Sequence, residues 1–354
     1  MNRLLDKLIG DRLGRGLDFA VDLFTQREGG YHTFRIPGLL ALPNDTVLAF
    51  CEGRKYSHSD FGDIDLIMKR STDGGTTWSP LQLIWDAGEL AVQNPCPVLD
   101  RSTGTIFLHT VVNRRDQYVL TSDDQGQTWS APRPISVRKP GWAFTWCCPG
   151  HGIQLRSGRL LIPGVSSTDG EKESNDAYGA FYYFSDDHGQ MWKVGHDFGQ
   201  GWNEFMAAER GDGAVYAILR PNRGRSKRIG GKSNTFWSVS TDGGETSSVP
   251  AEHLGLPSPV CEASIVQYSA SPTRLLFTNP AFPRDRYLMT LKGSADNGQT
   301  WQVLRRLYLG RSAYSDIALL HDKTVCVLFE RGLKQYSDKL TFVKITIDPA
   351  WSRE

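Results

Sequence analysis

The sequence lacks any apolar run that approaches the ~20 residues a membrane-crossing helix needs, which excludes a helical membrane span as the organising feature of the chain. It lacks net charge as well. Forty basic residues stand against 39 acidic ones, a formal +1, so there is no field of one sign to collect nucleic acid or an anionic membrane, and anion recognition has to be local. The six cysteines, Cys51, Cys96, Cys147, Cys148, Cys261 and Cys326, are scattered. Their one close pair is vicinal, which ordinary disulfide geometry disfavours, and no metal-ligand spacing emerges. Buried free thiols and no metal are the expectation. The opening MNRLLDKLIGDRLGRGLDFA is amphipathic and broken by charges, without the continuous apolar segment and small-residue cleavage site of a secretory signal. A cytoplasmic compartment, and by default a monomer, are expected.

What the sequence has instead is a turn written five times. STDGGTTW (Ser71 to Trp78), SDDQGQTW (Ser122 to Trp129) and SADNGQTW (Ser294 to Trp301) share S-x-D-x-G-x-T-W, and SDDHGQMW (from Ser185) and STDGGETS (from Ser240) are degenerate copies. Asp can hydrogen-bond its own turn, Gly supplies unusual dihedrals, and Trp packs the turn onto a sheet. Successive copies begin 51 to 63 residues apart, long enough for one four-stranded sheet with its loops. Between them run short β-rich segments such as GTIFLHTVV, RLLFTNP and TVCVLFE, with little helical periodicity. The expected fold is all-β, a six-bladed β-propeller with Asp-box turns: five blades with boxes, one without. Residues 1–18 would be an N-terminal extension and 19–354 a single propeller domain. Strands near Phe19 to Phe24 and Thr341 to Ile347 would share a blade and so leave no open edge.

Against this background some cations are out of place. Arg35 lies in FRIP beside apolar residues, Arg54 follows VLAFCEG, and Arg286 precedes YLMTL. Strand starts on one propeller face converge, so arginines of different blades can meet around one anion, and guanidinium forks suit a planar carboxylate. Glu330, in VLFERG, is a candidate buried partner for Arg35.

FRIP (34–37), EGR (52–54), SDFGDIDL (59–66), NPCP (94–97), PGHGIQL (149–155), AYSD (313–316) and FERG (329–332), in that order and in register with the boxes, resemble the sialidase (neuraminidase) family of exo-glycosidases, its bacterial and cytosolic animal branches above all. The resemblance implies hydrolysis of terminal α-linked sialic acids on glycoconjugates or free sialosides, with retention and without metal or organic cofactor. It implies that Arg35 and Arg286 bind the substrate carboxylate, that Glu330 steadies Arg35, and that Arg54 is a further pocket arginine. Asp60 matches the general acid/base, with Asp63 and Asp65 as nearby alternatives. Tyr314 matches the nucleophile and Glu209, in NEFMAAER, its base. These residue types suit the chemistry. A sialoside carries a carboxylate on its anomeric carbon, so a tyrosine partnered by a glutamate approaches with less like-charge repulsion than a carboxylate would.

The pattern breaks at the family's middle arginine. Its expected place before the fourth box holds Thr235, which leaves Arg228 or Lys232 in the basic stretch RPNRGRSKRIGGKSN as substitutes. If neither fills it, a related ulosonic acid such as Kdn or Kdo becomes the alternative substrate, and a noncatalytic acidic-glycan-binding propeller is the alternative of another class. Trp142 and Trp146 face either the core or the aglycone. If Arg35 is a preorganised carboxylate receptor, Arg35→Ala raises KM sharply, and steady-state kinetics showing an unchanged KM on an active variant would rule out that role.

Overall fold

The computed structural model describes residues 12–170, 177–222, 234–348 and 350–351. After β1 (Phe19–Thr25), the first sheet runs β2 (Thr33–Ala41), β3 (Val47–Arg54), β4 (Ile64–Ser71) and β5 (Gln82–Trp85); the second β6 (Val92–Leu99), β7 (Ile106–Val112), β8 (Asp116–Ser122) and β9 (Arg133–Ile135). The third comprises β10 (Phe144–Cys147), β11 (Ile153–Gln154), β12 (Leu160–Ser167), β13 (Tyr178–Ser185) and β14 (Lys193–Gln200), and the fourth β15 (Trp202–Glu209), β16 (Val215–Pro221), β17 (Asn234–Ser240) and β18 (Ala251–Pro257). A seven-stranded sheet follows, in the order β19 (Ser264–Ala270), β20 (Thr273–Pro280), β21 (Tyr287–Ser294), β22 (Gln302–Leu319), β23 (Val325–Gly332), β24 (Lys339–Ile345) and then β1. The fold is all-β and propeller-like. Among the described residues no helix is long and apolar enough to cross a membrane.

Burial explains which segments become which strands. All eight residues of β3, VLAFCEGR, are buried, because the strand has a neighbouring sheet on each face and so reads as a nearly continuous apolar run. The outer β18, AEHLGLP, keeps only two of seven residues buried. Each pair of adjacent sheets encloses its own apolar core. Leu48, Phe50 and Met68 meet Val92, Ile106 and Leu108 between the first two sheets, and the series returns to its start where Leu39, Val47 and Ala49 pack on Cys326, Leu328 and Phe342.

The β22 strand serves two ladders. Its first half pairs with β21 (Gly293↔Gln302 to Tyr287↔Arg311) and its second with β23 (Arg311↔Gly332 to Leu319↔Val325). An apolar core lies between the two parts of the seven-stranded sheet, joining Leu276, Met289 and Leu291 to Val325, Val327 and Val343. β1 pairs antiparallel with β24, Phe19↔Lys344 to Thr25↔Lys339, the closure expected from the sequence. Part of the N-terminal extension is docked: Leu13 bridges Tyr308, and the Gly14 amide donates to the Leu307 carbonyl at 2.8 Å.

The five boxes occupy corresponding turns, each after the third strand of its unit. In the first, Asp73 accepts from Ser71 Oγ (2.7 Å), from the amides of Thr76 and Thr77 (3.0 and 2.8 Å) and from Thr77 Oγ1 (2.6 Å), while Trp78 Nε1 donates to the Gly75 carbonyl (3.1 Å). Gly75 is needed twice over. Its φ is +82°, and a Cβ there would sit 2.4 Å from Phe342 Cζ of the neighbouring sheet, so the box glycine joins one sheet to the next. The fourth box, without tryptophan, uses Ser247, whose Oγ is 2.6 Å from Ser238 Oγ. All six cysteines are buried and free.

Hydrogen bonds from Thr77, Thr128 and turn amides hold the Asp73 and Asp124 carboxyls below their usual range, Asp124 at about 2. A depressed folded-state pKa contributes stability that is present above the unfolded value of ~3.9 and is lost as pH falls toward 2. Thermal melts should therefore show Tm dropping steeply between about pH 4 and 2, with the gap between native chain and Asp124→Asn closing over that window.

Candidate active site

Four strands carry the same irregularity at their ring-facing ends. The pairing slips by one residue between Arg35 and Gly38 in β2, Gln93 and Cys96 in β6, Trp202 and Phe205 in β15, and Ser312 and Ser315 in β22. A bulge bends its strand and re-aims the side chains it carries. Here the slips bring Arg35 and Ile36, Asn94, Asn203 and Glu204, and Tyr314 to one cavity of about 410 Å³, shared with Glu52, Arg54, Asp60, Arg114, Arg220, Arg286 and Tyr336. Ile36, at φ +61°, occupies a region that β-branched residues avoid, and its amide is held there by Glu330 Oε1 at 3.0 Å.

Glu330 is fully buried, on β23. It accepts Arg35 Nε at 3.0 Å and Nη2 at 3.2 Å, and its Oε2 also takes the Tyr314 amide at 3.2 Å. Arg54, 2% exposed, is paired with buried Glu52 (Nη2 to Oε2, 2.6 Å), which in turn accepts the Asn94 amide. Both guanidinium groups thus have the carboxylate that burial demands.

The Tyr314 hydroxyl lies 2.7 and 2.8 Å from the two oxygens of Glu204, and Arg220 Nη1 lies 2.8 Å from the same hydroxyl. Arg220 also pairs with Glu204, yet its Nε is buried without a hydrogen-bond partner. Arg286 donates its backbone amide to Asp285 Oδ1 at 2.8 Å, but among the described residues its guanidinium has no carboxylate partner and lies 5.4 and 5.1 Å from the ring centres of Tyr314 and Tyr336. Five arginines therefore face four carboxylates, Glu52, Asp60, Glu204 and, behind Arg35, Glu330. Donor capacity is left over for an anion. Burial, with Glu204 adding to it, pushes the Tyr314 phenol well above its ordinary pKa despite Arg220 and Arg286, so the hydroxyl stays protonated unless a base takes its proton.

Asp60 rests on a loop pinned by Gln93 Nε2 to its own carbonyl (2.8 Å) and by Arg54 Nη1 to the His58 carbonyl (2.5 Å). Its carboxylate meets Arg54 (2.9 Å), Arg114 (2.9 Å) and Arg35 (3.4 Å). Burial raises its pKa, but the three cations outweigh burial and hold it at about 2.

The BNR repeat-like domain family matches residues 45–327. A sialidase of Micromonospora viridifaciens is 33% identical over 355 residues, covering 90% of this chain, and sialidase-2 of Mus musculus is 30% identical, covering 81% of this chain and 85% of the mouse protein. The chain belongs to the sialidase family. It spans 53% of the length of the Micromonospora relative. Among solved structures, the Hadza microbial sialidase Hz136 superposes with a TM-score of 0.79 at 27% identity, over 95% of this chain and 68% of that one.

In this sialidase-family chain the structure gathers Arg35, Arg54, Asp60, Arg286, Tyr314 and Glu330 as the sequence led one to expect. Glu209 is a correction. It sits at the far end of β15, opposite Val215, with its carboxylate on the Arg156 amide (2.9 Å) and Nε (3.3 Å). Five residues of strand, roughly 16 Å, separate it from Glu204, which occupies the bulge opposite the Pro221 end of β16. Arg35 and Asn94 already show that site residues lie at the starts of inner strands, and that rule selects Glu204 over Glu209. Arg228 and Lys232 lie outside the described residues. The cation at the expected third place is Arg220. The Leu219↔Phe236 pairing sets Arg220 opposite Thr235, so the neighbouring strand of the hairpin supplies the guanidinium that its partner lacks.

Asp63 and Asp65 do not line the cavity; they share Lys55 with Asp86, at 2.9, 3.2 and 3.1 Å. Trp146 lines the cavity against Tyr178, whereas Trp142 packs on Phe181 in the core between the second and third sheets. Arg114 and Tyr336 carried no sequence signal of their own, and Glu52 stood in the EGR motif without a role assigned to it. Since Arg114 contributes to holding Asp60 ionised, Arg114→Gln should raise the Asp60 pKa by about one unit, read from its carboxyl ¹³C shift in a pH titration.

Proposed function

We propose that this chain is an exo-α-sialidase that removes terminal α-linked sialic acids with retention of configuration. The observation that carries the reading is the Tyr314 hydroxyl held between both oxygens of Glu204 and Arg220 in an arginine-lined cavity. The sugar's carboxylate binds Arg35, Arg220 and Arg286, whose spare donors suit a planar anion. Tyr314 Oη then attacks the anomeric carbon as Glu204 takes the phenol proton, and the glycosidic C–O bond breaks as Asp60 protonates the departing oxygen. In the second half Asp60 takes a proton from water, the water oxygen replaces Tyr314 on the sugar, and Glu204 returns the proton to the phenolate. Two inversions leave the configuration unchanged.

Asp60 must be protonated for the first half. A substrate carboxylate arriving on Arg35 draws on the guanidinium that also holds Asp60, and the added negative charge raises the Asp60 pKa toward a donor's range. The acid is armed by its own substrate.

The alternative of a Kdn or Kdo hydrolase depends on an unfilled third arginine, and Arg220 in the cavity removes that motive. A glycan-binding propeller has no use for a glutamate set against a tyrosine hydroxyl. We also read the propeller as six-bladed, counting the seven-stranded sheet as two blades joined through β22; the separate ladders of its halves and the apolar core between them support that count.

The test is release of aglycone from matched α-glycosides of N-acetylneuraminic acid, Kdn and Kdo, with NMR of the first-formed anomer. Turnover of the first with α product is expected, falling at least about a thousandfold in Tyr314→Phe and about a hundredfold in Glu204→Gln, with Glu209→Gln near native. Native turnover in Glu204→Gln, or β product formed first, would end the reading.

A further inference from the structure

Phe61 follows Asp60 directly and is 55% exposed, an unusual setting for a phenylalanine on a loop this firmly held. The Phe61 amide donates to Ser59 Oγ at 3.1 Å, and the Asp60 carbonyl beside it takes Gln93 Nε2. The ring is fixed from the side as well. Arg114 Cζ lies 5.0 Å from its centre, while Arg114 Nη2 holds Asp60 Oδ2 at 2.9 Å. Carboxylate, guanidinium and aromatic ring therefore form one stack at the rim of the cavity. Arg114 occupies one side of the ring, and the residue remains exposed to solvent.

We propose that Phe61 is a platform for the leaving sugar, which makes it a residue that selects extended glycans over small aglycones. The inference rests on the sialidase reading and adds a substrate preference to it. If Asp60 protonates the glycosidic oxygen, whatever is attached to that oxygen must emerge on the Asp60 side of the cavity, within one residue of Phe61. A pyranose presents a face of C–H groups, and an aromatic face fixed in advance packs against it without losing side-chain freedom on binding. The ring needs to make no contact with the sialic acid itself, since it lies outside the set of residues that line the cavity. Its effect should fall on the aglycone alone.

The experiment compares kcat/KM for sialyl-lactose and for methyl α-sialoside in the native chain, Phe61→Ala and Phe61→Trp. Phe61→Ala should lose about 5–10-fold on sialyl-lactose and stay within about twofold on the methyl glycoside, while Phe61→Trp retains the preference for the lactose aglycone. Equal losses on both substrates, or no loss on either, would overturn the platform while leaving the sialidase reading intact. No turnover of either substrate by the native chain would remove the sialidase reading, and the platform with it.

Discussion

One carboxylate ties the site to the closure of the ring. Glu330, on β23, accepts the Arg35 fork and the Ile36 amide from β2 and the Tyr314 amide from β22. It joins the first sheet to the last and aims the Arg35 cation and the Tyr314 hydroxyl together. Removing one partner of such a buried pair leaves an uncompensated charge, typically at a cost of about 3–5 kcal/mol. With four donors on two oxygens, the guanidinium of Arg35 has little freedom of orientation left. The same contact that ties the first sheet to the last thus preorganises one of the guanidinium groups that line the cavity.

The rest of the site depends on regularity being broken at chosen points. The sheets are ordinary antiparallel ladders over most of their length, and it is the bulges of the inner strands that turn Arg35, Asn94, Glu204 and Tyr314 toward a common centre. Rigid ladders behind a bulge hold it in place, so the irregular backbone does not become mobile backbone. Asp60 is different in kind. It comes from a loop and is steered by three arginines, which makes its proton affinity responsive to whatever else those arginines bind.

The β-architecture was legible because it is repeated: a turn motif whose Asp, Gly and Thr have fixed local tasks announces itself wherever it stands, and the β1–β24 pairing followed from the need to cover an edge. Site residues inside distinctive short motifs, Arg35 in FRIP and Tyr314 in AYSD, were legible too. Glu204 and Arg220 were not, for related reasons. Choosing Glu204 over Glu209 requires knowing which end of β15 faces the cavity, and finding Arg220 requires the hairpin register that sets it opposite Thr235. Strand direction and cross-strand register are properties of pairs of segments, and a linear motif contains neither. Arg114 and Tyr336 depend on loop placement, which local pattern does not encode.

The pairing of β1 with β24 has a consequence for biosynthesis. Phe19 meets Lys344, so β1 is satisfied only by a strand made some 325 residues of translation later, roughly a quarter of a minute to a minute at ordinary rates. Until then β1 is an unpaired edge with apolar residues Leu23 and Phe24 awaiting their core. Local hairpins can form as they leave the ribosome, but ring closure is a contact of the longest sequence separation and is expected to come late. Glu330 lies in the same late segment. A nascent chain therefore acquires its sheets one by one, and the arginine-lined cavity only after the last of them has been made.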